Sequence, residues 1–115
     1  QYGLRIASLF HAGDGNLHPL ILYNAEVEGE VERAEELCGK ILELCVAAGG
    51  CITGEHGVGI EKIRQMPAQF NDLEVALFHQ LKSAFDPAGT LNPGKGIPTL
   101  KQCQEYRSLG AKQNQ

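Results

Sequence analysis

This 115-residue chain has no excess of positive charge, no long apolar run and no closely spaced cysteine pair. Ten Lys and Arg stand against fourteen Asp and Glu, giving a formal charge of -4. There is no basic field to attract nucleic acid or anionic lipid. No apolar stretch approaches the roughly 18 residues that a membrane-spanning helix needs, which excludes such a helix within these residues. The opening residues lack the basic-then-apolar layout of a secretory signal. The chain also starts on Gln1 instead of Met, and the expectation is a segment of a longer protein. The four cysteines, Cys38, Cys45, Cys51 and Cys103, contain no C-x-x-C pair. Free buried thiols in a reducing compartment, the cytoplasm, are the simplest reading. Internal repeats and low-complexity tracts are absent as well.

What remains is the composition of a folded globular domain. The chain is 43% hydrophobic and 21% charged, close to average usage. At this length a compact chain buries roughly two-thirds of the surface its unfolded form exposes, enough for one core. Leu4 to Phe10 and Leu17 to Tyr23 are short apolar runs joined by Ala12-Gly-Asp-Gly-Asn16, and they predict a β-hairpin turning on Asp14-Gly15. From Glu30 to Ala48 the apolar residues Val31, Ala34, Leu37, Cys38, Ile41, Leu42, Cys45 and Ala48 recur at helical spacing. Glutamates crowd the start of that helix, where they suit its dipole, and Gly49-Gly50 end it.

Cys51 to Thr53 is expected to be extended, and Ile60 to Arg64 to form a short helix ending before Met66-Pro67. Asn71, with Glu74 three residues on, predicts a capped second helix whose buried stripe is Leu73, Ala76, Leu77, Leu81, Ala84 and Phe85. Asp86-Pro87 terminates it, the segment 88–96 reads as a loop, and the polar residues 98–115 read as a poorly ordered tail.

Three of the four histidines fall in two glycine-rich segments. If Asp14 and Gly15 form a two-residue turn, His11 faces His18 across the hairpin, with Cβ atoms roughly 4.5 to 5.5 Å apart. Two imidazoles so placed can converge on one ion, or simply hydrogen-bond their neighbours. Glu55, in Gly54-Glu-His-Gly-Val-Gly59, would complete a His2Glu donor set with open positions, a recognised catalytic-metal arrangement. In an extended stretch His56 points the other way, free to serve as a general acid or base. The same glycine segment could instead present backbone N–H groups to a phosphate or carboxylate, although its glycine order is neither a P-loop nor the dinucleotide fingerprint. His79 is assigned no role.

Taken in order, His11-Ala-Gly-Asp-Gly-Asn-Leu-His18, Gly54-Glu-His-Gly-Val-Gly59 and Phe85-Asp-Pro-Ala-Gly-Thr-Leu-Asn-Pro-Gly-Lys95 resemble the C-terminal domain of FAD-linked oxidases of the vanillyl-alcohol oxidase type. Within that family they are most similar to 2-hydroxy acid dehydrogenases acting on glycolate or D-lactate. The resemblance covers Leu4 to about Ile97. It implies an α+β fold: residues 1–53 as the C-terminal part of a ferredoxin-like cap domain, 54–98 as a small helical subdomain with flavin-facing loops, and 99–115 as a polar tail.

The resemblance further implies FAD, held mainly by a domain outside this chain, and a divalent metal, zinc favoured, on His11, His18 and Glu55. His56 corresponds to the family's proposed base, and Asn92 to a flavin contact. Lys95 is a weaker candidate of the same kind. Relatives that take a dicarboxylate carry Asn two positions after the second motif histidine; here Leu20 stands there, which argues for a smaller 2-hydroxy acid. The implied partners are that substrate and other subunits of an oxidase complex, with a cytoplasmic location, peripheral to the inner membrane through those subunits. The chain alone is expected to be inactive and, with apolar faces exposed, to self-associate. Two other readings need no flavin: a metal-dependent hydrolase or oxygenase built on the His2Glu set, and a non-catalytic assembly module whose acidic helix meets a partner.

Overall fold

Residues 2–113 are described in a computed structural model, with side chains described through residue 109. Two antiparallel strands and four helices make the α+β composition that was expected. The chain divides into two compact units, Gln1–Ile41 and Leu42–Gln115.

The first unit holds the hairpin, β1 (Arg5–His11) and β2 (Asn16–Leu22), and most of helix α1 (Glu30–Ala47). The strands pair in a register that sets His11 opposite Asn16 and Leu9 opposite His18. This corrects the expected two-residue turn. Four residues, 12–15, make the connection, closed by the Asp14 N–H donating to the His11 carbonyl at 3.0 Å. Gly15 takes φ 66, the left-handed residue that lets a loop built on a tight turn re-enter the ladder. Every residue of β1 is exposed, and a two-stranded sheet has little independent stability. The hairpin therefore leaves β1 uncovered, while β2 is in part half-buried.

Helix α1 follows most of the predicted stripe: Ala34 is buried, and Val31, Leu37, Ile41, Leu42 and Cys45 are half-buried, but Cys38 and Ala48 are exposed. At its end the Gly49 N–H donates to the Val46 carbonyl at 2.9 Å and the Gly50 N–H to the Cys45 carbonyl at 2.8 Å. With Gly49 at φ 85, this is the paired bond pattern of a Schellman stop.

The second unit is helical. Residues 51–53 form no strand, contrary to expectation. Ile52 is instead a buried anchor whose N–H donates to the Gln69 side chain at 2.9 Å. The expected helix over Ile60–Arg64 is a turn followed by a 3-10 segment, Ile63–Gln65, that runs straight into α2 (Met66–Gln69). Pro67 does not end it, because a proline in the first turn gives up an N–H that has no intrahelical partner there.

Helix α3 (Asp72–Phe85) starts on the predicted cap: the Asn71 side chain accepts from Leu73 and Glu74, and the Glu74 carboxylate accepts from the Asn71 N–H at 2.7 Å. Its buried face is not the predicted one. Val75 is fully buried, and Phe78, His79 and Lys82 lie half-buried beside it, whereas Leu73 and Phe85 are 78% and 80% exposed and Leu77 and Leu81 are exposed too. Two rows at helical spacing compete for the interior here, and the unit buries the mixed one because it carries the polar groups with partners. The leucine row is left outward.

The expected disordered tail is also corrected. Helix α4 (Leu100–Gln113) packs against α2, α3 and the 3-10 segment. Thr99 and Gln102 cap it reciprocally, the Thr99 N–H donating to the Gln102 side chain at 2.8 Å and the Gln102 N–H to the Thr99 hydroxyl at 3.3 Å. Cys103 is wholly buried, the Tyr106 hydroxyl donates to Glu43 at 2.7 Å, and Arg107 pairs with Asp72 at 2.7 Å. Residues 114 and 115 of the predicted tail lie outside the described residues. None of the four cysteines forms a disulfide, as expected, but Cys38 and Cys51 are exposed and only Cys103 is buried.

Replacing the α3 cap, Asn71→Ala, removes an acceptor for two backbone N–H groups. We expect it to lower the stability of the chain by about 1 kcal/mol, read from urea unfolding.

Candidate functional site

The candidate residues sit on the two hairpin strands and on two loops, each described within its own unit. In the first unit, register alone places His11, Asn16, His18 and Leu20 on one face of the hairpin. His18 is a diagonal neighbour of His11, not its direct partner, yet the imidazole centroids are 5.1 Å apart with planes at 82°. The four-residue loop moved the register without separating the pair, because the shift is by two residues and so conserves facing. The Asn16 side-chain amide lies 3.5 Å from His18 Nε2. His18 is half-buried and His11 exposed. Leu20 lies two residues beyond His18 on the same face.

In the second unit the segment Gly54–Gly59 follows the Ile52 anchor. Gly57 and Gly59 take φ 75 and 56, and a Cβ built on either meets nothing within 4 Å. Backbone conformation, not crowding, requires glycine there. The loop presents Glu55 and His56 outward, with His56 Nε2 3.7 Å from Glu55 Oε2 and side chains 73% and 46% exposed respectively. At its root the Thr53 hydroxyl is buried without a hydrogen-bond partner among the described residues.

The second loop leaves the end of α3. The Asp86 carboxylate is buried and accepts from the Lys82 ammonium, from the Leu91 and Thr90 N–H groups at 2.9 Å each, and from the Thr90 hydroxyl at 3.3 Å. Lys82 also donates to the Leu91 carbonyl at 2.8 Å. The Lys82 bond first, and then the backbone donors, hold the Asp86 carboxyl well below the usual carboxylate range. The following residue, Asn92, has φ 44, the one non-glycine with positive φ among the described residues. Asparagine tolerates that conformation better than most side chains. Its carbonyl accepts from the Lys95 N–H at 3.3 Å, and the Gly96 N–H then donates to the Gly59 carbonyl at 2.8 Å. The loops carrying His56 and Asn92 are thus tied directly to each other. His79, given no role from sequence, donates from Nε2 to the Pro98 carbonyl at 3.0 Å and secures the far end of this loop.

Residues 1–96 match the family model for FAD linked oxidases, C-terminal domain. The chain belongs to that family. It is 64% identical to the glycolate oxidase subunit GlcD of Escherichia coli strain K12 over 95% of this chain and 22% of that protein. It is 41% identical to GlcD of Bacillus subtilis over 83% of this chain and 20% of that protein. To the D-lactate dehydrogenase of Archaeoglobus fulgidus it is 38% identical over 87% of this chain and 22% of that protein. The chain spans about a fifth of the length of the curated relatives it matches. No solved structure matches it.

Sequence reasoning singled out His11, His18, Glu55, His56 and Asn92 as candidates and passed over Asp86, Lys82 and His79, which hold the loop that leaves α3. The signal for Asp86 was present: an acidic residue at the end of a helix, before Pro, with Thr four residues on, is a carboxylate placed to collect loop N–H groups.

Because the folded-state pKa of Asp86 is depressed, its contribution to stability is present above the unfolded value of 3.8 and is lost as pH falls from there toward the folded value. The stability margin of the wild-type chain over Asp86→Asn is therefore expected to be flat above about pH 5 and to shrink steadily below it. Urea midpoints measured from pH 7 to pH 2 check this.

Proposed function

We propose that the chain is the C-terminal substrate- and metal-binding part of an FAD-dependent 2-hydroxy acid dehydrogenase that oxidises glycolate or D-lactate to the 2-oxo acid. The observation that carries the reading is the 64% identity to E. coli GlcD across 95% of the chain, a span wide enough to take in the hairpin and both loops. Residues 1–53 then belong to the substrate-facing cap and 54–98 to the subdomain whose loops meet the flavin.

In this reading His11, His18 and Glu55 hold a divalent ion, zinc favoured. Two imidazoles and one carboxylate suit such an ion and leave positions open for substrate, and the facing of His11 and His18 within the hairpin supports it. Bound FAD supplies the two-electron acceptor, and the ion supplies Lewis acidity at the substrate hydroxyl. The chain's own residues do the rest. His56 takes the hydroxyl proton while the C2 hydrogen leaves as hydride, which balances the oxidation of alcohol to ketone or aldehyde. Leu20, two residues beyond His18 on the same face, offers no polar group to a second substrate carboxylate. Asn92, with its side chain on the exposed loop, contacts the flavin. Other glycolate oxidase subunits are the proposed partners, and the cytoplasm, with attachment to the inner membrane through those subunits, the proposed location. Four cysteines without a disulfide suit a reducing compartment, and no helix among the described residues is long and apolar enough to cross a membrane.

The full-length protein is expected to show flavin absorption that bleaches on anaerobic addition of glycolate or D-lactate. His56→Ala should slow that bleaching by about 10²- to 10⁴-fold, and His11→Ala or Glu55→Ala should lower the bound metal measured by elemental analysis. A protein that stays colourless after reconstitution with FAD overturns the reading.

The isolated chain should be inactive and should self-associate through the outward row Leu73, Leu77, Leu81 and Phe85, spaced four residues apart on α3. Sedimentation should show mass rising with concentration, and Leu77→Glu should suppress the rise.

A further inference from the structure

We infer that Asp86 is a positioning residue: clasped by Lys82, it sets the conformation of the loop 90–96 and, through that loop's bond to Gly59, the placement of the loop that carries His56. The inference rests on the proposed flavin reading for the roles of Asn92 and His56. The linkage itself rests on geometry alone.

A carboxylate out of water must find donors, and Asp86 finds them in residues that follow it directly: the Thr90 N–H and hydroxyl and the Leu91 N–H, with Lys82 one helical turn before. The chain can satisfy that carboxylate only by turning back over the end of α3. Lys82 fastens the turn a second time through the Leu91 carbonyl, so both the N–H and the C=O of Leu91 are held. The next residue is Asn92 at φ 44. A non-glycine residue in that region persists where its surroundings over-determine it, and here the clasp lies one residue upstream. Downstream, the Gly96 N–H donates to the Gly59 carbonyl, and His79 fixes the Pro98 carbonyl. The segment from 86 to 98 is thus held at both ends and pinned to the other loop in between. Neither Asp86 nor Lys82 needs to touch substrate or flavin for this to matter, since a shift of about 1 Å in a reacting group can cost about 100-fold in rate.

The test uses the full-length flavoprotein with Asp86→Asn, Lys82→Met and the double variant. Two readouts are taken. The first is the rate of anaerobic flavin reduction per bound flavin; the second is hydrogen exchange of the amides in 54–59 and 90–96. Each single variant is expected to reduce flavin about 10- to 100-fold more slowly, with faster exchange in both loops and an altered flavin absorption band. The double variant should be no slower than the worse single one, because the two residues act as a unit. Wild-type reduction rates and unchanged loop exchange, accompanied only by a lower melting temperature, overturn the inference, as do single-variant losses that add in the double. If Asp86→Asn does not fold, Lys82→Met leaves the carboxylate its backbone donors and carries both readouts. Failure of the flavin reading shows differently: the wild-type protein does not bleach, while exchange still reports whether the clasp holds the loops.

Discussion

The second unit depends on one buried negative charge. Asp86 sits where α3 ends, and a helix end already leaves carbonyls and a change of direction to be managed. The side chain there could have been glycine or asparagine, the usual stop. A buried carboxylate does more, because it demands several donors and so dictates the path of the residues that supply them. Thr90 and Leu91 must return to it, Pro87 continues no helix, and the conformation of Asn92 follows. Removing one member leaves a charge uncompensated, which costs more than the bond itself contributed. The polarity of this corner is a means of specifying shape.

The elements whose ends are written in local chemistry were legible in the sequence. The Asn71–Glu74 capping box and the Gly49-Gly50 stop were both read correctly, since the donors and acceptors lie within a few residues of each other. Helix α4 was missed although Thr99 and Gln102 form the same kind of box; its polar composition hid it. One buried cysteine and two polar anchors, Tyr106 and Arg107, hold it in place, and no hydrophobic period announces such a helix. The row Leu73, Leu77, Leu81 and Phe85 was misread for the converse reason. Periodicity tells that a helix has an apolar side; it does not tell which neighbour covers that side. The row on the inner side, Val75, Phe78, His79 and Lys82, earns burial through specific partners.

For the candidate site the division is sharper. The candidate residues stood out because histidine and glutamate among glycines are conspicuous. The side chains that hold the loop 86–98 did not, because Asp86, Lys82 and His79 look in sequence like a helix terminus and a surface helix face. Even the wrong hairpin turn did no harm to the reading of His11 and His18. A register shift of two residues leaves every side chain on its own face, so the facing of the pair was robust while its exact opposition was not.

Proton transfer and Lewis-acid chemistry gain most in a site from which water is excluded. His56 and Glu55 are 73% and 46% exposed on their loop, and His11 stands exposed on a strand with no covered residue. The chain therefore contributes position but not enclosure. The loops 54–59 and 90–96 are pinned to each other, and the second of them to α3, so their geometry is set within the second unit. That separation of duties fits a chain whose curated relatives are about five times as long. The exposed strand β1 and the leucine row of α3 are the apolar surfaces that this chain leaves uncovered, while the loops 54–59 and 90–96 are fixed to each other by the bond between Gly96 and Gly59.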